Sequence, residues 1–139
     1  VALVVLPWRT VGSADALPPW VSALGVLLAL AGLAFGLAGA VALSTALTPT
    51  PVPKEGEVLR TNGAYRIVRH PLYTSVLTAA VGFTLAVGSW WQVGVCAALA
   101  VFFAYKSRWE DSMLAERFGD EWRAYARRTP GIIPLARRR

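Results

Sequence analysis

An all-α, polytopic membrane protein is the fold class this sequence predicts, and three observations predict it. Residues 16–53 and 71–105 contain no Asp, Glu, Lys or Arg. The 139-residue chain is 55% hydrophobic and 16% charged, with a mean hydropathy of +0.48, whereas soluble domains usually carry roughly a quarter charged residues. Of the 14 basic residues, 13 lie at or after Lys54, close to the ends of the uncharged stretches, where loops rich in Lys and Arg stay cytoplasmic.

The first span is Trp20 to Leu47, long enough to cross roughly 30 Å of hydrocarbon with some tilt. Gly25, Ala29, Gly32, Gly36 and Ala40 recur at spacings of three or four and predict one smooth face for close helix contact within the monomer. Alternating prolines from Thr48 to Pro53 forbid a helix and favour an extended linker. A polar loop follows, with a turn signal at Asn62-Gly63. Pro71 fits the first turn of a new helix, where its missing N–H costs nothing. Leu72–Val87 and Trp90–Tyr105 read as two short apolar helices broken at Gly88-Ser89, and so as a helical hairpin. The second continues into water over Lys106–Phe118, with Trp109, Met113 and Leu114 as an apolar stripe. Gly119 suits a helix C-cap and Asp120 the N-cap of a last helix carrying Trp122 and Tyr125, which Thr129–Pro134 terminates. Trp20, Trp90 and Trp91 mark one interface; Tyr73, Tyr105 and Trp109 mark the other, beside the basic loops. Val1–Trp8 lacks the basic leading region of a signal peptide and reads as the tail of a further span or as a short membrane-surface segment.

The chain thus divides into a span (20–47), a cytoplasmic loop (48–70), a hairpin (71–105) and a cytoplasmic tail (106–139), all of one domain. The net charge of +6 is assigned to topology and to anionic lipid headgroups rather than to nucleic acid. Cys96 is alone and apolar in context, so no disulfide or thiolate metal site arises within the chain. One His with no Cys or carboxylate at ligand spacing predicts no metal site. No nucleophile elbow or phosphate loop is present.

An antiparallel hairpin starts and ends on one side of the membrane. It therefore brings Tyr65, Arg66, Arg69, His70 and Tyr73 toward Arg108, Glu110 and Asp111. Cations, a carboxylate pair, aromatic rings and a helix start suit a zwitterionic amino acid with an attached aromatic base, and S-adenosylmethionine has all these parts plus a sulfonium that carboxylates and ring faces tolerate. The same residues could also serve as membrane anchors, a helix cap and pairs at helical spacing worth a few tenths of a kcal/mol. A helix start is electropositive, which favours a neutral His70 that donates one hydrogen bond to a bound carboxylate.

Gly63-x-Tyr65-Arg66-x-x-Arg69-His70-Pro71-x-Tyr73 resembles the signature of the isoprenylcysteine carboxyl methyltransferase and phospholipid methyltransferase superfamily. Glu110-Asp111-x-x-Leu114-x-x-x-Phe118-Gly119-x-x-Trp122-x-x-Tyr125, closing on Ile133-Pro134, resembles its second motif. The resemblance covers residues 54–134. It implies an integral-membrane methyltransferase that uses S-adenosylmethionine by in-line displacement at the sulfonium methyl, with a lipophilic or small apolar acceptor entering from the bilayer. It implies a cytoplasmic cofactor site covered by the C-terminal tail, with Tyr65, Arg69, His70, Pro71, Tyr73, Glu110 and Asp111 binding the cofactor and Glu110, His70 and Arg69 as catalytic residues. Two positions depart from the pattern: Ser75 stands where Gly is frequent, and Asp111 where Glu is usual. Related membrane reductases share an Arg-His-Pro-like element and imply an alternative, a nicotinamide-dependent sterol or enone reductase; a non-catalytic lipid- or partner-binding module is a third reading. The expected assembly is a monomer or weak homodimer.

Overall fold

The computed structural model describes residues 17–44 and 58–134. The expectations for Val1–Trp8, for the proline linker and for Arg137–Arg139 lie outside these residues. The described chain is all-helical: α1 (Pro19–Ser44), a 3₁₀ turn (Gly63–Arg66), α2 (Pro71–Val87), α3 (Trp90–Phe118) and α4 (Asp120–Arg128).

α1 has 26 residues and no charge, a length of roughly 39 Å at 1.5 Å per residue. Among the described residues it is the one helix long and apolar enough to cross a membrane; α2 is apolar but shorter. Leu24, Leu27, Leu30, Leu33 and Leu37 of α1 are each more than half exposed.

The opposite face of α1 packs antiparallel on α2, and its small residues set the distance. A Cβ built on Gly25 would lie 2.5 Å from the Ala86 nitrogen, and one on Gly32 would lie 2.7 Å from the Ala79 nitrogen. From the other side, a Cβ on Gly82 would collide with the backbone of Ala29. The smooth face predicted from spacing is therefore real, with one change: its last member is Gly39, against Pro71, while Ala40 faces outward. Ser75, the departure from the family's Gly, sits opposite Gly36, whose missing side chain makes room for it. Gly82→Ala is expected to cost about 1–3 kcal/mol by forcing the helices apart. Gly94→Ala, with open space around it, should be neutral or gain about 0.5–1 kcal/mol. Thermal melting of the two variants in detergent checks the contrast.

Gly88 closes α2 in the left-handed region (φ 68°) and Ser89 opens α3 in extended backbone, which is the predicted break. α3 runs unbroken for 29 residues, so the second hairpin helix and its extension are one element. Asp120 is not a cap. Gly119 holds the N-cap position, and Asp120 instead accepts from Arg123 Nη1 at 2.8 Å inside the first turn. Trp109 and Met113 remain exposed, so their predicted stripe is uncovered among the described residues; Leu114 is half-buried.

Burial concentrates at the polar end of the helices. Leu59, Ala64, Val68 and Tyr125 are the buried apolar residues, joined by the buried polar His70, Thr74, Ser75 and Thr129. Arg60 Nη1 donates to the Ala42 carbonyl at 3.2 Å and ties the end of α1 to this region.

Candidate functional site

The start of α2 is assembled by segments distant in sequence. Pro71 occupies the first helical turn, as predicted, and His70 is the N-cap residue, but its side chain makes no capping hydrogen bond. The imidazole turns toward α3 instead. His70 Nε2 lies 2.9 Å from Asp111 Oδ1, and Nδ1 lies 3.4 Å from Glu110 Oε2. A carboxylate only accepts, so Nε2 carries the proton shared with Asp111. The donor expected to be free for a bound carboxylate is thus committed to the protein.

Asp111 also pairs with Arg69 (Nη2–Oδ2 3.2 Å), both side chains being mostly buried, at 14% and 17% exposure. The shorter acid is therefore engaged from two sides. Glu110 accepts a 2.6 Å hydrogen bond from the Tyr73 hydroxyl and lies 3.6 Å from Lys106 Nζ. Tyr73 is fixed by stacking: its ring centroid lies 5.3 Å from that of His70 and 4.6 Å from that of Phe103. The Arg69 guanidinium lies 5.3 Å from the centroid of the Trp122 ring.

The C-terminal segment is bonded across the same motif. The backbone N–H groups of Arg69 and His70 donate to the carbonyls of Pro130 (2.9 Å) and Gly131 (3.2 Å). Thr74 Oγ1 donates to the Ile132 carbonyl at 2.6 Å, and the Tyr125 hydroxyl donates to the Tyr65 carbonyl at 2.6 Å. Burial pushes the Tyr125 phenol up to about 12, with Arg69 opposing the shift and Tyr65 and Asp111 adding to it. Burial likewise raises Tyr65, against the pull of Arg60. Between the ordinary value of 10.0 and about 12 the folded chain keeps a Tyr125 proton that the unfolded chain has lost. Stability should therefore fall as pH rises through that window and be indifferent to this group below it. Tyr125→Phe is expected to flatten that alkaline fall while losing about 1 kcal/mol at neutral pH with the hydrogen bond; denaturant midpoints measured across the window test it.

A cavity of about 290 Å³ opens here, lined by Tyr65, Arg69, His70, Pro71, Tyr73 and Glu110 among others. These are six of the seven residues expected to bind a cofactor. Asp111 lines a different cavity, of about 470 Å³, on the far side of the Arg69 pair. Arg66 and Arg108 are exposed; Arg66 does not line the 290 Å³ cavity, and Arg108 lines the larger one. Leu114 and Trp122, quoted above as positions of the second motif but given no role, belong to the assembly, as does Phe103, which was not singled out. For Phe103 the chain signals aromatic character, but not that it stacks on Tyr73. Among the described residues no group of three or more His, Cys, Asp or Glu could hold a metal ion. The reason is visible in the pairing, since Glu110 and Asp111 bracket opposite nitrogens of His70 rather than meeting at one point.

Comparison with known proteins shows the family to which the chain belongs. The family model for phospholipid methyltransferase matches residues 20–121, well over half of the chain. The chain belongs to the phospholipid methyltransferase family. Among curated relatives of this family member, the cobalt-zinc-cadmium resistance protein CzcN of Cupriavidus metallidurans is 34% identical over 83% of the chain and 51% of its own length. A protein-S-isoprenylcysteine O-methyltransferase of Schizosaccharomyces pombe is 32% identical over 56% of the chain and 34% of its own length. Protein-S-isoprenylcysteine O-methyltransferase B of Arabidopsis thaliana is 34% identical over 59% and 42%. The chain therefore spans about a third to a half of the length of these relatives. No solved structure matches it significantly.

Proposed function

We propose that the chain is a membrane methyltransferase that takes a methyl group from S-adenosylmethionine and passes it to a lipophilic or small apolar acceptor arriving from the bilayer. The observation that carries this reading is the 290 Å³ cavity at the polar end of the hairpin, in which a guanidinium, an imidazole, a carboxylate and two phenol rings face one space. That donor set matches the cofactor's chemistry. Glu110 suits an ammonium, Arg69 a carboxylate, and the faces of Tyr65 and Tyr73 suit a cationic sulfonium. The cofactor would supply an electrophilic methyl group.

The residues of the chain supply position. Tyr73, held by His70 and Phe103, fixes the Glu110 carboxylate through its hydroxyl. The Arg69–Asp111 pair and the 130–132 strap hold the start of α2 in place. Charges fixed in advance need little reorganisation when reaction occurs. A carboxylate acceptor needs no base, whereas an amine must lose a proton, for which Glu110 or His70 is within the cavity. The bilayer location is supported by the span-length α1 and its uncovered leucines. The placing of the polar end on the cytoplasmic side is supported by the concentration of Lys and Arg there.

Calorimetric titration of the purified chain in detergent tests the reading. S-adenosylmethionine and its demethylated product should bind, and NADPH should not. Binding of NADPH in their place would move the chain to the reductases, and binding of none of the three would defeat the enzymatic reading.

A further inference from the structure

The 470 Å³ cavity beside the proposed methyl-donor pocket has a chemistry of its own. Arg69, Arg108, Arg127 and Arg128 line it, with Asp111 and Trp122. Four arginines thus line a cavity that holds one carboxylate, and that carboxylate is already engaged by Arg69 and His70. Arg108, Arg127 and Arg128 have no ion-pair partner among the described residues. Two N–H groups on residues lining the cavity, Arg69 Nε and Trp122 Nε1, are buried and have no acceptor. Buried donors are nearly always paired in native proteins, and an orphan calls for an explanation. An acceptor-rich anion is one that accounts for both donors and for the arginines together.

We propose that this cavity is a binding site for a phosphate-type oxyanion, adjoining the methyl-donor pocket across Arg69, which lines both, and set apart from it by Arg108, Arg127 and Arg128. Guanidinium forks match phosphate oxygens in pairs, and a phosphate has acceptor capacity for the indole N–H and the Arg69 Nε as well. The site lies where α3 leaves the uncharged stretch 71–105, next to the exposed Tyr105 and Trp109. Those two residue types settle at the headgroup level of a bilayer, so the phosphate has two possible sources: a lipid headgroup or a soluble phosphate. The assignment concerns binding, not methyl transfer, and does not depend on the methyltransferase reading.

The indole N–H resonance of Trp122, assigned by its disappearance in Trp122→Phe, reports on the cavity directly. The full chain, ¹⁵N-labelled in maltoside micelles, is titrated separately with inorganic phosphate and with a short-chain phosphatidylglycerol. The resonance should shift saturably with at least one of them. Saturation by phosphate alone assigns a soluble ligand, and saturation by the lipid at much lower concentration assigns a headgroup. The double variant Arg127→Gln/Arg128→Gln should raise the apparent Kd by about tenfold or more while binding of S-adenosylhomocysteine is unchanged. If that variant melts below its parent, Arg108→Gln replaces it with the same expectation. No shift with either ligand, an unchanged Kd in the variants, or displacement of phosphate by S-adenosylhomocysteine overturns the proposal. Loss of S-adenosylhomocysteine binding by the parent chain, with the phosphate response intact, would defeat the methyl-donor reading alone.

Discussion

Glu110→Gln is expected to lower the affinity for S-adenosylmethionine by about 10- to 150-fold, the equivalent of one charge-assisted hydrogen bond worth roughly 1.5–3 kcal/mol. Glu110 lines the 290 Å³ cavity, and its carboxylate is already oriented by Tyr73. A neutral amide there keeps the shape and loses the charge that an ammonium needs. Asp111→Asn should behave differently. Asp111 does not line that cavity and serves as counter-charge to Arg69 and partner to His70. Its loss leaves a mostly buried guanidinium short of a partner, so the cost should fall on folding, at about 1–3 kcal/mol, and less on cofactor affinity. Titration and thermal melting of both variants separate the roles. Wild-type-like binding by Glu110→Gln would reduce this carboxylate to a structural partner of Tyr73.

His70→Ala is expected to be as severe, by about tenfold or more in cofactor affinity, through a different route. The imidazole stands between the two carboxylates, 2.9 Å from one and 3.4 Å from the other, and it stacks on Tyr73. Without it, Glu110 and Asp111 face each other across a gap with no donor between them, and the ring stack loses its first member. His70→Gln or His70→Asn retains one donor and should keep part of the affinity. A general-base role makes another prediction, that binding survives in all three variants while single-turnover methylation collapses. Measuring binding and turnover side by side distinguishes the two. An effect on neither would leave His70 as a bystander at the helix start, although its side chain makes no capping bond there.

Much of this architecture could be read along the chain because it depends on local chemistry. Pro71 can open a helix but not continue one, Gly88 readily enters the left-handed region that ends one, and a run of apolar residues without charge forms a helix long enough to cross a membrane. The smooth face of α1 was legible for the same reason: spacings of three and four put Gly25, Gly32 and Gly36 on one side of any helix. Even the meeting of His70 with Glu110 and Asp111 followed from a hairpin of two nearly equal arms.

Tertiary structure alone decided who pairs with whom. Two acids adjacent in sequence, Glu110 and Asp111, acquired different partners because successive residues on a helix point about 100° apart. One faces a cavity with Tyr73, and the other closes on Arg69. The strap from Pro130 to Ile132 carries no sequence signal for its target, since its contacts are backbone carbonyls, which every residue has. Arg127 and Arg128 of α4 read equally well as charges at a helix end. Only the packing of Trp122 against Arg69 gathers them around one cavity with two unanswered donors. Local propensity is written in residue types, whereas convergence is a property of the folded backbone, and in this chain the candidate chemistry lies in the convergence.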